Sequence, residues 1–141
     1  KLARAKELGA THAINRRKTP HWDMSVRDIT GGRGADHVLE MVGGDNLLLS
    51  LRALKQAGRV SVIGTLGEAE IHSPSVPLFL GRPTIQGIGV GHRRALEDMI
   101  RAVDHLHLKP VVDKVYALAE LPAALDHLER GPFGKLVVRM D

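Results

Sequence analysis

The chain has 141 residues, 43% of them hydrophobic and 26% charged, with a formal net charge of +4 and no cysteine. This is enough for a buried core and too apolar for a disordered chain, and it excludes disulfide scaffolds and cysteine-ligated zinc within the chain. Aromatic residues make up only 3%, the basic residues are scattered, and no apolar run approaches a membrane span, so neither nucleic acid nor membrane is expected as a partner.

The opening KLARAKELGA reads as an amphipathic helix with Leu2, Ala5 and Leu8 on one face and Gly9 as its stop. No cap and no signal peptide precede it, so the chain is expected to be part of a longer protein. The lack of cysteine fits a cytoplasmic location. Ala10–Asn15 reads as a strand and RRKTPH as a turn. Trp22, Val26 and Ile29 mark a short helix over Asp23–Thr30, GGRGAD a loop, and HVLEMV a strand.

Asp45 is placed to cap a helix with Leu48, Leu51 and Leu54 as its buried stripe, ended by Gly58. RVSVIG follows as a strand with so little polar alternation that burial on both faces is expected. Residues 65–83 are rich in proline and glycine and read as a long irregular connection. TIQGIGV is the next strand, and Leu96, Ile100 and Val103 mark a helix ending near Leu108. VVDKVYAL is a strand, Pro122 suits the first turn of a helix stopped by Gly131, and KLVVRM is the last strand. Strand and helix alternate over the first ninety residues, which predicts a parallel sheet with helices on both faces.

Ligands of open parallel sheets bind outside the carboxyl ends of the strands. Three predicted strand ends share one composition, an apolar residue beside glycine: Met41–Gly44, Ile63–Gly67 and Gly89–Gly91. Either these glycines only turn the chain, or they let a flat ligand approach an apolar wall whose backbone groups can bond it. A nicotinamide ring and its carboxamide suit such a wall better than a phosphate does. The dinucleotide fingerprint G-x-G-x-x-G is absent, because His92 stands where its last glycine would fall, and TGGRGAD precedes a strand rather than opening a helix. His105 and His107 on one helix would point about 200° apart and cannot share a metal. There is no G-x-S-x-G elbow, and Asp36 and Glu40 flank a strand without forming a recognisable catalytic pair.

In order and at matching spacing, AKELGATHAIN, TGGRGADHVLEMVGG, LRALKQAGRVSVIGTLG, GIGVGHRR, KPVVDKVYAL and FGKLVV resemble the C-terminal half of the medium-chain dehydrogenase/reductase superfamily, the zinc-type alcohol dehydrogenases and quinone-oxidoreductase-like proteins. The resemblance covers the entire chain. It implies a Rossmann-type doubly wound parallel sheet, incomplete because the first two strands are absent, in residues 1–91. Residues 92–141 are then a segment returning to the GroES-like catalytic domain. The implied function is that of an NAD(P)(H)-dependent oxidoreductase moving a hydride between nicotinamide and an alcohol or carbonyl, quinone or enone. The alternative is a non-catalytic nucleotide-binding or dimerisation module of the same fold.

The cofactor positions carried over by the resemblance are Lys1 near the adenosine ribose, and Met41, Val42 and Gly43 beside the cleft. Ile63, Gly64 and Thr65 fall under the nicotinamide, Ile88, Gly89 and Val90 at the carboxamide, and Lys135 near the pyrophosphate. NAD and NADP both remain open as cofactor, because the strand that separates them is missing. Zinc is compatible with the whole enzyme but has no ligands in this chain, and no catalytic residue is assigned. The implied partners are a small-molecule substrate and a second copy, in a dimer or tetramer joined through Thr84–Val90.

With strand order 3-2-1-4-5-6, the strand Ala10–Asn15 would lie beyond two missing strands. Each buried backbone group left unpaired there costs about 1–3 kcal/mol, so the sum rivals a domain stability of about 5–15 kcal/mol. The isolated 141-residue chain is therefore expected to be inactive. In a thermal melt it should show no cooperative monomeric transition that rises with NADPH; such a transition would refute the expectation.

Overall fold

The computed structural model describes residues 1–67 and 70–140. In chain order its elements are α1 (Leu2–Glu7), α2 (Trp22–Ile29), β1 (Ala35–Glu40), α3 (Asn46–Ala53), β2 (Leu54–Val62), α4 (Ser75–Gly81) and β3 (Thr84–Gly87). They continue with α5 (Arg93–His105), β4 (Val112–Ala117), a 3-10 turn over Leu118–Glu120, α6 (Leu121–Glu129) and β5 (Lys135–Arg139). The fold is α/β with parallel sheets, divided into two units: Leu2–Val90, and the segment from Gly91 onward together with Lys1. No helix among the described residues is long and apolar enough to cross a membrane.

In the first unit β1, β2 and β3 lie side by side in that order and run parallel. Each helical crossover steps the same way along the sheet. Right-handed crossovers stepping one way must lie on one face. Accordingly α3 packs on β1 and β2 and also against α2 and α4. Leu47, Leu51, Leu54 and Val60 form the core on that face, with Val38 and Val62 packed against them. The opposite face is more open: Leu39 is 63% exposed there, although Ser61 beside it is buried against His37. The expected second helical layer is therefore absent among the described residues, because it would require strands added beyond β1 with crossovers stepping the other way. β2 is buried on both faces only at its centre, where Val60 and Ser61 point to opposite sides; Arg59 and Ile63 are exposed.

Both ends of α3 are pinned by charge. Arg27, on α2, donates from Nε to Arg52 O at 2.8 Å and from Nη2 to Leu54 O at 2.6 Å. Its Nη1 also reaches Gly32 O and Arg33 O, at 2.9 and 3.0 Å. A cation at the carbonyl end of a helix complements the helix dipole and satisfies carbonyls that lack helical partners. The loop that permits this turns at Gly34, at φ +86°, where a Cβ would stand 2.7 Å from Ala53 O. Only glycine fits there.

Several boundaries differ from the sequence reading. Ala10–Asn15 forms no strand; a strand exists only through a paired neighbour, and β1 and β2 pair only with each other and with β3. The helix before Gly58 already ends at Ala53, and β2 continues past Gly58 through an irregularity in which Ala57 has φ +54°. Asp45 makes no side-chain cap. Within the stretch read as irregular, Ser75–Gly81 is helical, with Pro77 tolerated in its first turn; residues 68 and 69 of that stretch lie outside the described residues. β3 stops at Gly87 rather than Val90. α5 stops at His105, and His107 lies past it with φ +51°, so the two histidines are not on one helix. Leu2 and Leu8 stay exposed.

In the second unit β4 and β5 are parallel neighbours joined through α6. The hydroxyl of Tyr116, a residue 4% exposed, is hydrogen-bonded to Nδ1 of His127 at 2.8 Å, and Nε2 of the same ring faces Asp113 Oδ2 at 3.2 Å. This clasp ties α6 to β4.

Truncating a core side chain removes its transfer free energy and leaves a cavity. Leu51→Ala is expected to cost about 2–5 kcal/mol in urea unfolding, and Leu39→Ala, on the more open face, no more than about 0.5 kcal/mol. Equal losses would contradict the one-sided core.

Candidate functional site

Parallel register decides where the three strand ends go. Glu40 lies opposite Val62, and Val62 opposite Gly87. The segments that follow, 41–44, 63–67 and 88–90, therefore leave the sheet side by side at its carboxyl edge. Hydrogen bonds knit the first two together: Ile63 N–H donates to Glu40 O at 2.8 Å, Leu66 N–H to Met41 O at 3.0 Å, and Gly67 N–H to Val42 O at 2.8 Å. Ile88 N–H donates to Val62 O at 2.9 Å and joins the third. A Cβ on Gly67 would press at 3.2 Å on both Val42 O and Val42 Cγ1. The glycine thus permits the close lay of the two loops.

The apolar side chains here are left uncovered. Met41, Ile63 and Ile88 are each close to half exposed, and Val90 is fully exposed. Beyond Ile88, Gly89 and Val90 form no backbone–backbone hydrogen bond among the described residues. The edge therefore offers an apolar rim together with free main-chain donors and acceptors.

Beneath this rim lies a group that sequence reasoning passed over. Glu40, the last residue of β1, is 2% exposed. Its Oε1 accepts from Val42 N–H at 2.8 Å, Gly43 N–H at 3.1 Å and Asn46 Nδ2 at 3.0 Å. Its Oε2 accepts from Asn46 Nδ2 at 2.9 Å and from the Ser50 hydroxyl. All of these donors are uncharged, and Glu40 forms no ion pair with any described residue. Burial pushes the carboxyl up, but the bonds from Ser50, from the Val42 and Gly43 amides and from Asn46 outweigh it, so it ionises below the ordinary glutamate value. Asn46 and Ser50 lie one turn apart on α3, and that spacing was a usable signal in the sequence. Asp36, at the other end of β1, behaves differently. It is exposed and paired with Arg33 at 2.8 Å and Lys55 at 2.6 Å, and the Arg33 and Lys55 hydrogen bonds hold its carboxyl well below the usual range.

Of the residues expected at the site, Met41, Val42, Gly43, Ile63, Gly64, Thr65, Ile88, Gly89 and Val90 all gather at this edge. Lys1 and Lys135 belong to the second unit. Lys1 Nζ lies beside Gly131 there, and Lys135 opens β5, its N–H donating to Val111 O at 2.8 Å.

The family model for "Zinc-binding dehydrogenase" matches residues 1–105. The chain belongs to this family, within the medium-chain dehydrogenase/reductase superfamily. It is 35% identical over its whole length to a zinc-type alcohol dehydrogenase-like protein of Schizosaccharomyces pombe, and covers 42% of that protein. Its backbone matches the crystal structure of a Sinorhizobium meliloti protein provisionally named an alcohol dehydrogenase, with TM-score 0.89 and 54% identity over 99% of this chain and 40% of that one. A crystal structure of an NAD-dependent alcohol dehydrogenase matches with TM-score 0.83 and 32% identity, over 100% of this chain and 41% of that one. The chain thus spans about two fifths of the length of these relatives.

The family's names bring two groups into question, a nicotinamide cofactor and zinc. The strand-end donor set, apolar with free main-chain groups, fits a nicotinamide. Among the described residues no three His, Asp or Glu side chains gather as metal ligands, so no step is assigned to zinc here.

Glu40 makes a sign-definite prediction. Its folded-state ionisation lies below the ordinary value of 4.5, so the stability it contributes is present above that value and is lost as pH falls through the folded-state value. Melting temperatures measured across the acid range should fall more steeply on acidification in the unaltered protein than in Glu40→Gln. Parallel curves would remove Glu40 as the group responsible.

Proposed function

We propose that this chain supplies the nicotinamide-facing part of an NAD(P)(H) site in an oxidoreductase that transfers a hydride between nicotinamide and an alcohol or carbonyl, quinone or enone. The observation that carries the proposal is the alignment of three apolar, glycine-bearing loops at one carboxyl edge of a parallel sheet. Family membership and the NAD-dependent relative support it. The cofactor, when bound, supplies the hydride chemistry itself.

This chain's own residues bind and orient. Met41, Ile63 and Ile88 give the ring an apolar wall and displace water from it. Main-chain groups of Ile88 to Val90 hold the carboxamide and so fix which face of the ring is presented. Gly64 and Gly67 keep the second loop low enough to leave room, and Glu40 holds the first loop in place from below. The substrate is a small molecule bound by residues outside this chain, and the isolated chain does not turn over. A cytoplasmic setting is part of the same reading.

The second reading, a non-catalytic or dimerisation module, is favoured by one observation. Every residue of β3 is exposed, and its outer edge is unpaired among the described residues. Such an edge is a template for pairing with a second copy. Sedimentation of the full-length protein addresses it.

NADH and NADPH should both be tested by fluorescence titration of the full-length protein, and at least one should saturate. If Lys135 bonds the pyrophosphate, Lys135→Ala loses about 1.5–3 kcal/mol, roughly tenfold to a hundredfold in Kd. Unchanged affinity removes that role from Lys135, and absence of binding by either nucleotide removes the proposal.

A further inference from the structure

We infer that Glu40 is a specificity-determining residue for the redox state of the cofactor, favouring the cationic oxidised nicotinamide over the neutral reduced one. The inference rests on the strand-end edge being the nicotinamide site.

The argument starts from an imbalance of charge. A buried carboxylate is ordinarily matched by a cation, because an isolated ion in a low-dielectric interior is costly. Glu40 is 2% exposed and is held by amide and hydroxyl donors alone: Val42 N–H, Gly43 N–H, Asn46 Nδ2 and Ser50 Oγ. Those dipoles, with the first turn of α3, stabilise the ionised form. Dipole fields fall off faster than the field of a net charge, so one full negative charge remains for anything bound on the loop. That loop is Met41–Gly44, and Glu40 Oε1 accepts hydrogen bonds from two of its amides. Among the described cations nearest in sequence, Arg33 and Lys55 pair with Asp36 at the far end of β1, Arg27 is spent on carbonyls at the other end of α3, and Arg52 is exposed in the last turn of α3, away from Glu40. Asp45, in the same loop, is exposed, and water and salt screen it.

The two redox states of a nicotinamide cofactor differ, at the ring, by one positive charge. A carboxylate screened poorly by its surroundings and lacking its own cation therefore discriminates between them by Coulomb attraction alone. The same residue shapes the loop through its hydrogen bonds, but shape acts on both redox states alike. The ratio of the two affinities isolates the charge.

The experiment compares Kd for NAD+ and for NADH, or for the phosphorylated pair if that is the one bound, by calorimetry and fluorescence on the full-length protein. Three proteins are measured: unaltered, Glu40→Gln and Ser50→Ala. Glu40→Gln should shift the ratio of the two constants several-fold toward the reduced form. Ser50→Ala, which loosens the same hydrogen-bond set but keeps the charge, should leave the ratio within about twofold of the unaltered protein, a change below 0.5 kcal/mol. If Glu40→Gln changes both constants equally, or Ser50→Ala shifts the ratio as far, the inference is overturned while the cofactor site stands. If neither nucleotide binds the unaltered protein, the proposed site itself falls. Should Glu40→Gln not fold, Asn46→Lys, which sets a cation beside the same carboxylate, takes its place: a ratio shifted toward the reduced form supports the inference, and a ratio equal to that of the unaltered protein overturns it.

Discussion

The strand-end edge depends on one buried carboxylate. Glu40 ends β1, and its charge must be satisfied where it is buried. The donors that do so are the next two loop amides and two side chains of the following helix. The loop between strand and helix thereby acquires a single conformation. Its own carbonyls at Met41 and Val42 then receive Leu66 and Gly67. The loop's shape and the close approach of the second strand end go with that one satisfied charge.

The two ends of α3 form a matched pair. An anion sits at the amino end and Arg27 at the carbonyl end, each complementing the helix dipole. Between them Leu47 and Leu51 press on Val60. The central helix is thus fixed along its axis by electrostatics and across it by apolar packing. A short helix of eight residues gains little from propensity alone. Its placement, and with it the carboxyl edge, comes from these tertiary contacts.

Handedness sets which parts of the sheet are covered. Crossovers that step the same way place α3 and α4 on one face and leave Leu39 open on the other. The same constraint explains why Ala10–Asn15, extended in composition, makes no strand: no described strand lies where it could pair. In the second unit the Tyr116–His127–Asp113 clasp performs for α6 what Arg27 performs for α3, with hydrogen bonds in place of a helix-capping cation.

Much of the candidate site was legible without coordinates. The apolar, glycine-bearing segments Met41–Gly44, Ile63–Gly67 and Gly89–Gly91 marked the strand ends to within a few residues, β3 stopping at Gly87, because glycine spacing and hydrophobic runs are local properties of the chain. The parallel α/β class followed from alternation for the same reason. Other features were not local. The helix at Ser75–Gly81 was hidden by its prolines, and the end of α3 at Ala53 was hidden by a better stop signal at Gly58. Glu40 read as one more charge beside a strand. Its burial depends on Asn46 and Ser50 arriving from a helix and on two amides turning inward, with no ion pair to any described residue. Composition and pattern determined the class of this chain and where its ligand edge lies. Only the tertiary structure decided which charge is buried there, because desolvation is a property of what surrounds a residue and not of the residue itself.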